Sequence, residues 1–162
     1  MIVSVAIFSV VMLLATGAYY SLIAAARQSR EQTTAMTTLS FALEDMTRSI
    51  RTGSHFCITG CTGSSFSFKD AAGNVVVYGL SGTSITRQVS VSGEYEASGP
   101  ITDPSVTITN LAFNTTGQSG GDLLQPRVTI VIRGTIPVGP GLPVQSFSVE
   151  TGATQRVIDL SN

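Results

Sequence analysis

The sequence predicts an α+β fold: a long N-terminal helix, its first half apolar enough to span a bilayer, packed on an antiparallel β-sheet head domain. Three observations carry this expectation. No charged residue occurs from Met1 to Ala26. No Pro or Gly interrupts Arg27–Thr52. After Gly53 the apolar spacing shortens from helical to alternating, the change that separates a helix from strands. The chain therefore divides into 1–26, the membrane or filament-core half of the helix, 27–53, its amphipathic half, and 54–162, a β-rich head.

Composition bounds what such a molecule can do. At 162 residues the chain is one domain's worth. Nine basic and ten acidic side chains leave a formal charge of -1, so no excess of cations is available to neutralise phosphates, and no nucleic-acid partner is expected. Charged residues make up 12% of the chain, about half the ~25% usual in globular domains. Twenty Ser, twenty Thr and 16 Gly take their place, a composition of strands joined by turns. One His and two Cys fall short of a four-ligand zinc cage and exclude a hydrolase built on several histidines. No catalytic residue, metal ligand or cofactor is assigned.

The first segment is long enough to cross a bilayer, which takes about 20 apolar residues. Lipid forces its backbone to satisfy its own hydrogen bonds, hence a helix. A cleaved signal peptide is the alternative; Ala24-Ala25-Ala26 could end one, but a basic n-region is absent and the apolar run is too long. Ile2, Val5, Phe8, Met12 and Gly17 are the residues expected to mediate assembly, and Ser4, Ser9, Thr16 and Gly17 are small enough for close helix approach. Gly17 is also the expected point of local unwinding. Lipid and a bundle of like helices are similar surroundings for such a surface, so exchange between them changes little apolar burial.

In the second segment Met36, Leu39, Leu43, Met46 and Ile50 recur at spacings of 3, 4, 3 and 4, the stripe of a helix face packed on a sheet. Glu44 precedes Arg48 in the favourable order for a helical ion pair. Arg48 and Arg51 fall in the last turn and Gly53 follows as a natural C′ residue. Beyond it, 64–69, 75–80 and 84–89 read as a three-stranded meander. Residues 92–104 read as loop, and 105–113 alternates with Val106, Ile108 and Leu111 inward. Residues 116–122 form a tip, 127–133 is the strongest strand, 134–143 is a Pro-broken loop, and 145–151 with 154–158 closes the sheet.

The ordered series resembles the type IV pilin-like proteins, most nearly minor pilins of the PilW class and the J-class minor pseudopilins of type II secretion. The residues that carry the likeness are Ile2-Val-Ser-Val-Ala-Ile-Phe8 with Ala15-Thr-Gly17, Leu43-Glu-Asp-Met-Thr-Arg-Ser-Ile-Arg51, the meander Phe66–Arg87, Val106–Phe113, Pro126–Ile132, and Phe147-Ser-Val-Glu-Thr with Arg156. The likeness implies a prepilin that serves as a structural subunit of a pilus or secretion filament. Other pilin or pseudopilin subunits in a hetero-oligomer, membrane lipid before assembly, an assembly platform with its ATPase and a prepilin peptidase would be its partners. It implies an inner-membrane location, single-pass, with the head periplasmic or extracellular, although Arg27 and Arg30 alone would read as cytoplasmic by the positive-inside rule. The family's basic leader, cleavage Gly and aromatic-x-x-x-Glu would lie just before Ile2. Two explanations stand: a start assigned too late, or a subunit lacking that Glu.

Smaller constellations have bland alternatives. Cys57 and Cys61 are a disulfide candidate outside the cytoplasm; two buried thiols, or a metal site with His55, are the other readings. Asn114-Thr-Thr116 fits a glycosylation acceptor by pattern only. Asp103 and Asp122 sit in Gly-rich loops without calcium-ligand spacing. A single-pass anchored binding or sensory module is the rival function. An enzyme would need a pocket gathering Arg127 or Arg133 with acids near His55.

Overall fold

The computed structural model describes residues 2–91, 93–96, 99–118, 124–137 and 144–156. Among these described residues one helix, α1 (Ile2–Thr52), precedes eight strands: β1 (Ser65–Lys69), β2 (Val75–Ser81), β3 (Ser84–Val91), β4 (Glu94–Tyr95), β5 (Gly99–Pro100), β6 (Thr107–Thr116), β7 (Arg127–Ile136) and β8 (Gln145–Thr154). The α+β class and the helix-on-sheet arrangement are as the sequence predicts. At 1.5 Å per residue, the 51 residues of α1 run about 76 Å. Gly17 does not unwind it: the helix is continuous through that position.

Where α1 meets the head it buries Ala35, Leu39, Ala42, Met46 and Ile50. This corrects the expected stripe at one point. Met36 is 37% exposed, at the rim, and Leu43 only flanks the core. Each helical step turns about 100°, so the buried face is centred one step away, on alanines whose small side chains let the strands approach.

The helix ends for a different reason than its Gly suggests. Gly53 does not adopt a left-handed conformation. A Cβ there would collide with the Phe68 ring and sit 2.8 Å from the Lys69 carbonyl oxygen. Glycine is needed because β1 passes directly over the helix terminus. Ser54 N–H donates to the Lys69 carbonyl and Lys69 N–H to the Ser54 carbonyl, both at 2.8 Å, and Arg156 N–H caps the Arg51 carbonyl at 2.9 Å, so two chain segments anchor the terminus.

The strands form two sheets where the sequence reading had one. The first is ordered β1-β2-β3-β4, with β5 also on β3; the second is β6-β7-β8; all pairings are antiparallel. The segment read as loop, 92–104, holds β4 and β5, which fold back on β3, and β6 then starts a new sheet. Two backbone bonds join the sheets, Phe113 N–H to the Gly63 carbonyl at 2.7 Å and Ile108 N–H to the Thr83 carbonyl at 2.8 Å. Phe66 stacks on Phe113 at 5.4 Å between ring centres, so the core is continuous beneath both sheets.

Two irregularities explain the strand boundaries. A register shift between Ile108 and Asn110 lets Ile108 and Leu111 both face inward despite their odd spacing. β7 does not stop at Arg133 but runs through Gly134 to Ile136. A Cβ at Gly134 would meet the Thr107 carbonyl oxygen at 2.5 Å and the Phe147 ring at 2.7 Å, so here glycine admits neighbours and does not end the strand. β8 includes Thr154; the expected continuation to 158 lies outside the described residues beyond Arg156.

Candidate functional site

The feature that most needs a partner is the first half of α1. Ile2, Val5, Phe8, Met12 and Gly17 all lie on uncovered helix surface, and no side chain from Ile2 to Leu22 is buried. Thirteen large apolar or aromatic side chains stand exposed between Ile2 and Leu22. At ~1.5 kcal/mol or more per buried side chain, leaving them in water forfeits on the order of 20 kcal/mol. That exceeds the ~5–15 kcal/mol net stability of a typical domain. This surface must be covered by lipid or by other protein. The helix is long and apolar enough to cross a membrane.

Its hydroxyls suit such surroundings. Ser9 Oγ donates to the Val5 carbonyl at 2.9 Å and Thr16 Oγ1 to the Met12 carbonyl at 2.7 Å, so neither needs water to satisfy its proton. Gly17 has open space around it, leaving a notch where another backbone can approach. Tyr19 and Tyr20 are exposed near the end of the apolar run, and Arg27 and Arg30 follow about two to three turns later. Amphipathic aromatics followed by cations mark the order of an apolar–aqueous boundary. Sequence reading passed over this tyrosine pair, although its position before the first charge was a usable signal.

At the other end of α1, Cys57 and Cys61 form a disulfide with Cα atoms 5.0 Å apart. The short loop is held on β1: Cys57 N–H donates to the Ser67 carbonyl at 2.7 Å and Thr59 N–H to Ser67 Oγ at 3.1 Å. Phe56 packs edge-on against Phe66. His55 and Cys57 take φ values of 52° and 66°, left-handed conformations that side chains other than glycine adopt at a cost. His55 Nδ1 lies 3.1 Å from Ser54 Oγ, and His55 is not a metal ligand in any cluster of three or more donor residues among those described.

Several clefts border α1. One of about 460 Å³ lies between Met36, Thr37, Ser40, Ile136 and Gln145. A second, of about 310 Å³, adjoins Arg30, Asp103 and Ile136. The third, about 290 Å³, is lined by Glu44, Thr47, Arg48, Arg51, Thr52 and Arg156. None of them includes His55, Arg127 or Arg133. Arg127 and Arg133 alternate outward on β7 and are exposed, so the structure does not bring them together with His55. Comparison with family models, curated proteins and solved structures finds no match.

The remaining expected residues have local roles. Asp103 Oδ1 accepts from Ser105 N–H at 2.8 Å, and the Ser105 hydroxyl and then its backbone N–H hold the Asp103 carboxyl below its ordinary range. Asp122 lies outside the described residues. Asn114 is exposed in β6, paired with Thr129. Glu44 and Arg48 do not close an ion pair; both side chains border the third cleft.

Proposed function

We propose that this chain is a structural, non-enzymatic subunit of a type IV pilin-like filament, of the minor pilin or pseudopilin kind, which waits in the membrane and assembles through its N-terminal helix. The observation that carries the reading is one continuous helix used in two ways. One face of its second half is buried in its own head, and its first half is apolar and uncovered on every side. A simple anchor needs only to be apolar. A subunit that leaves lipid for a bundle of like helices also needs small residues for close approach and no unsatisfied hydroxyl proton, and Gly17, Ser9 and Thr16 supply these features. The inner membrane, with the head on its outer side, is the proposed location, in keeping with the disulfide, which persists in oxidising compartments.

Photo-crosslinking in native membranes tests this. A photoreactive residue at Phe8 or Met12 is expected to yield helix-to-helix adducts with other filament subunits. Adducts with lipid alone, from a chain that stays monomeric, would establish a single-pass anchored module in its place.

A further inference from the structure

We propose that the outer edge of β8 is completed by an extended segment of a different filament subunit, which joins the second sheet as a fourth strand. The inference rests on the filament reading and deepens it by naming the kind of partner the head takes.

Two bonds fix the direction of the β8 backbone groups. Gln155 N–H donates to the Pro126 carbonyl at 2.9 Å, and β8 keeps a single register against β7 from Gln145 to Thr154. In an antiparallel ladder, alternate residues bond a given neighbour. Phe147, Val149, Thr151 and Ala153 therefore spend their N–H and C=O groups on β7, and Ser146, Ser148, Glu150 and Gly152 point theirs the other way. Arg156 obeys the same alternation: its N–H faces away from β7 and takes the Arg51 carbonyl of α1. From Ser146 to Gly152, among the described residues, the outer edge has no backbone partner. Ser146, Ser148 and Glu150 are exposed there.

Among the described residues the other long edges are closed. Along β1, Ser54 pairs with Lys69, and Cys57 N–H takes the Ser67 carbonyl. Along β6, the N–H groups of Ile108 and Phe113 donate to Thr83 and Gly63, which lie beside the first sheet. β4 and β5 are two residues each. Proteins ordinarily blunt an edge strand with lysine, proline, a bulge or brevity. β8 is ten residues long, with no proline, no basic residue, no register shift and one charge, Glu150. Such an edge is built to be paired.

The core also stops one strand short. Ile130 and Ile132 on β7 are fully buried. Their partners across the ladder, Thr151 and Val149, are only half-buried, as is Phe147. These three side chains face the core side of the sheet, where one more strand would cover them.

The two faces of β8 define the segment that fits. Its residue opposite Glu150 lies on the exposed face, where lysine or arginine makes the favourable cross-strand pair. The residues on either side of it fall opposite Val149 and Thr151, on the core side, and are apolar. The occupant is thus an extended apolar–basic–apolar triplet held by main-chain hydrogen bonds. A second copy does not supply it. Two copies joined through the same edge are related by a two-fold axis and close on themselves, leaving no edge to continue an assembly. Antiparallel registers centred on this edge also set the two Glu150 carboxylates directly or diagonally opposite, a repulsive pair.

The test is amide hydrogen exchange of the full chain, alone in detergent micelles and in assemblies recovered from native membranes through an affinity tag on it. Alone and dilute, Ser148, Glu150 and Gly152 should exchange quickly while Val149 and Thr151 exchange slowly. In the assemblies the first three amides should slow at least tenfold, an alternation that docking through side chains does not produce. A photoreactive residue at Ser148 should crosslink to a peptide of a non-identical subunit that carries the triplet. Ser148→Pro removes one outward N–H and leaves the bonds to β7. It should lower incorporation about tenfold, with slow exchange at Val149 and Thr151 as the fold check. Glu150→Lys should lower incorporation about threefold, and Glu150→Gln less. Slow exchange of the three outward amides in the dilute lone chain means that the chain covers its own edge and overturns the proposal. Protection that arises on concentrating the lone chain marks a second copy and overturns it too, as does an adduct on a peptide without the triplet. Phe8 adducts with unchanged exchange in the assemblies remove the added strand and leave the filament reading standing; absence of both removes both.

Discussion

Individual residues are constrained here more by what approaches them than by their own conformational preferences. Gly53 and Gly134 lie in ordinary backbone conformations, yet each stands where a carbonyl oxygen and an aromatic ring come within reach of a missing Cβ. Gly53→Ala is expected to lower stability by about 1–3 kcal/mol, the usual cost of overpacking, in urea unfolding of the full chain in mild detergent. Gly17→Ala, with open space around it, should be neutral or gain up to ~1 kcal/mol. Tyr78 is buried with its hydroxyl outside hydrogen-bond geometry. Burial pushes its pKa above the ordinary value; nearby Ser49 and the Arg87 guanidinium pull it down, while Asp45 adds to the rise. The folded-state pKa thus lies above the unfolded value of about 10. The phenol's contribution is complete below that pH and is lost as pH rises through the folded value. Tyr78→Phe should flatten this alkaline decline in stability without loss at neutral pH, since it removes an unsatisfied polar group.

At the scale of elements, α1 and the loop after it divide the stabilising work. Met46 and Ile50 are fully buried in the core, whereas Met36 is at the rim. Met46→Ala or Ile50→Ala should cost about 2–5 kcal/mol, and Met36→Ala well under ~1 kcal/mol; the same unfolding experiment separates them. The disulfide closes a loop of only five residues, 57–61, so loop-closure entropy gives it about 2 kcal/mol. Reduction should therefore lower the unfolding midpoint modestly and leave the sheets intact. The strand elements were largely legible because β1 and β7 alternate in sequence, as in Phe66, Phe68 and Val128, Ile130, Ile132, and because turn residues at 70–74 and 81–82 bound the apolar run of β2. The two-residue strands β4 and β5 were not: neither is long enough to show a period, and both exist by pairing with β3.

The whole molecule is a head on a stalk, and the stalk contributes nothing to the head's core. No residue of 2–22 is buried, and the core draws on α1 only from Ala35 onward. A chain beginning at Arg27 is accordingly expected to remain folded and water-soluble, with circular dichroism retaining the helix from Arg27 to Thr52. Loss of that helical signal would mean that the apolar half supports the fold. The low average charge thus covers two regimes, an uncharged helix half and a head clothed in Ser, Thr and Gly.

The sequence by itself determined the class of fold, the extent of the helix and the apolar half that requires covering, because these follow from local periodicity and from the absence of charge and breakers. Only the tertiary structure decided the rest. It put Ala35 and Ala42 in the core in place of Met36, divided the strands between two sheets, and gathered Arg48, Arg51 and Arg156 in one cleft. Those outcomes depend on which backbones approach one another across the chain, and separation along the sequence carries no direct record of that distance.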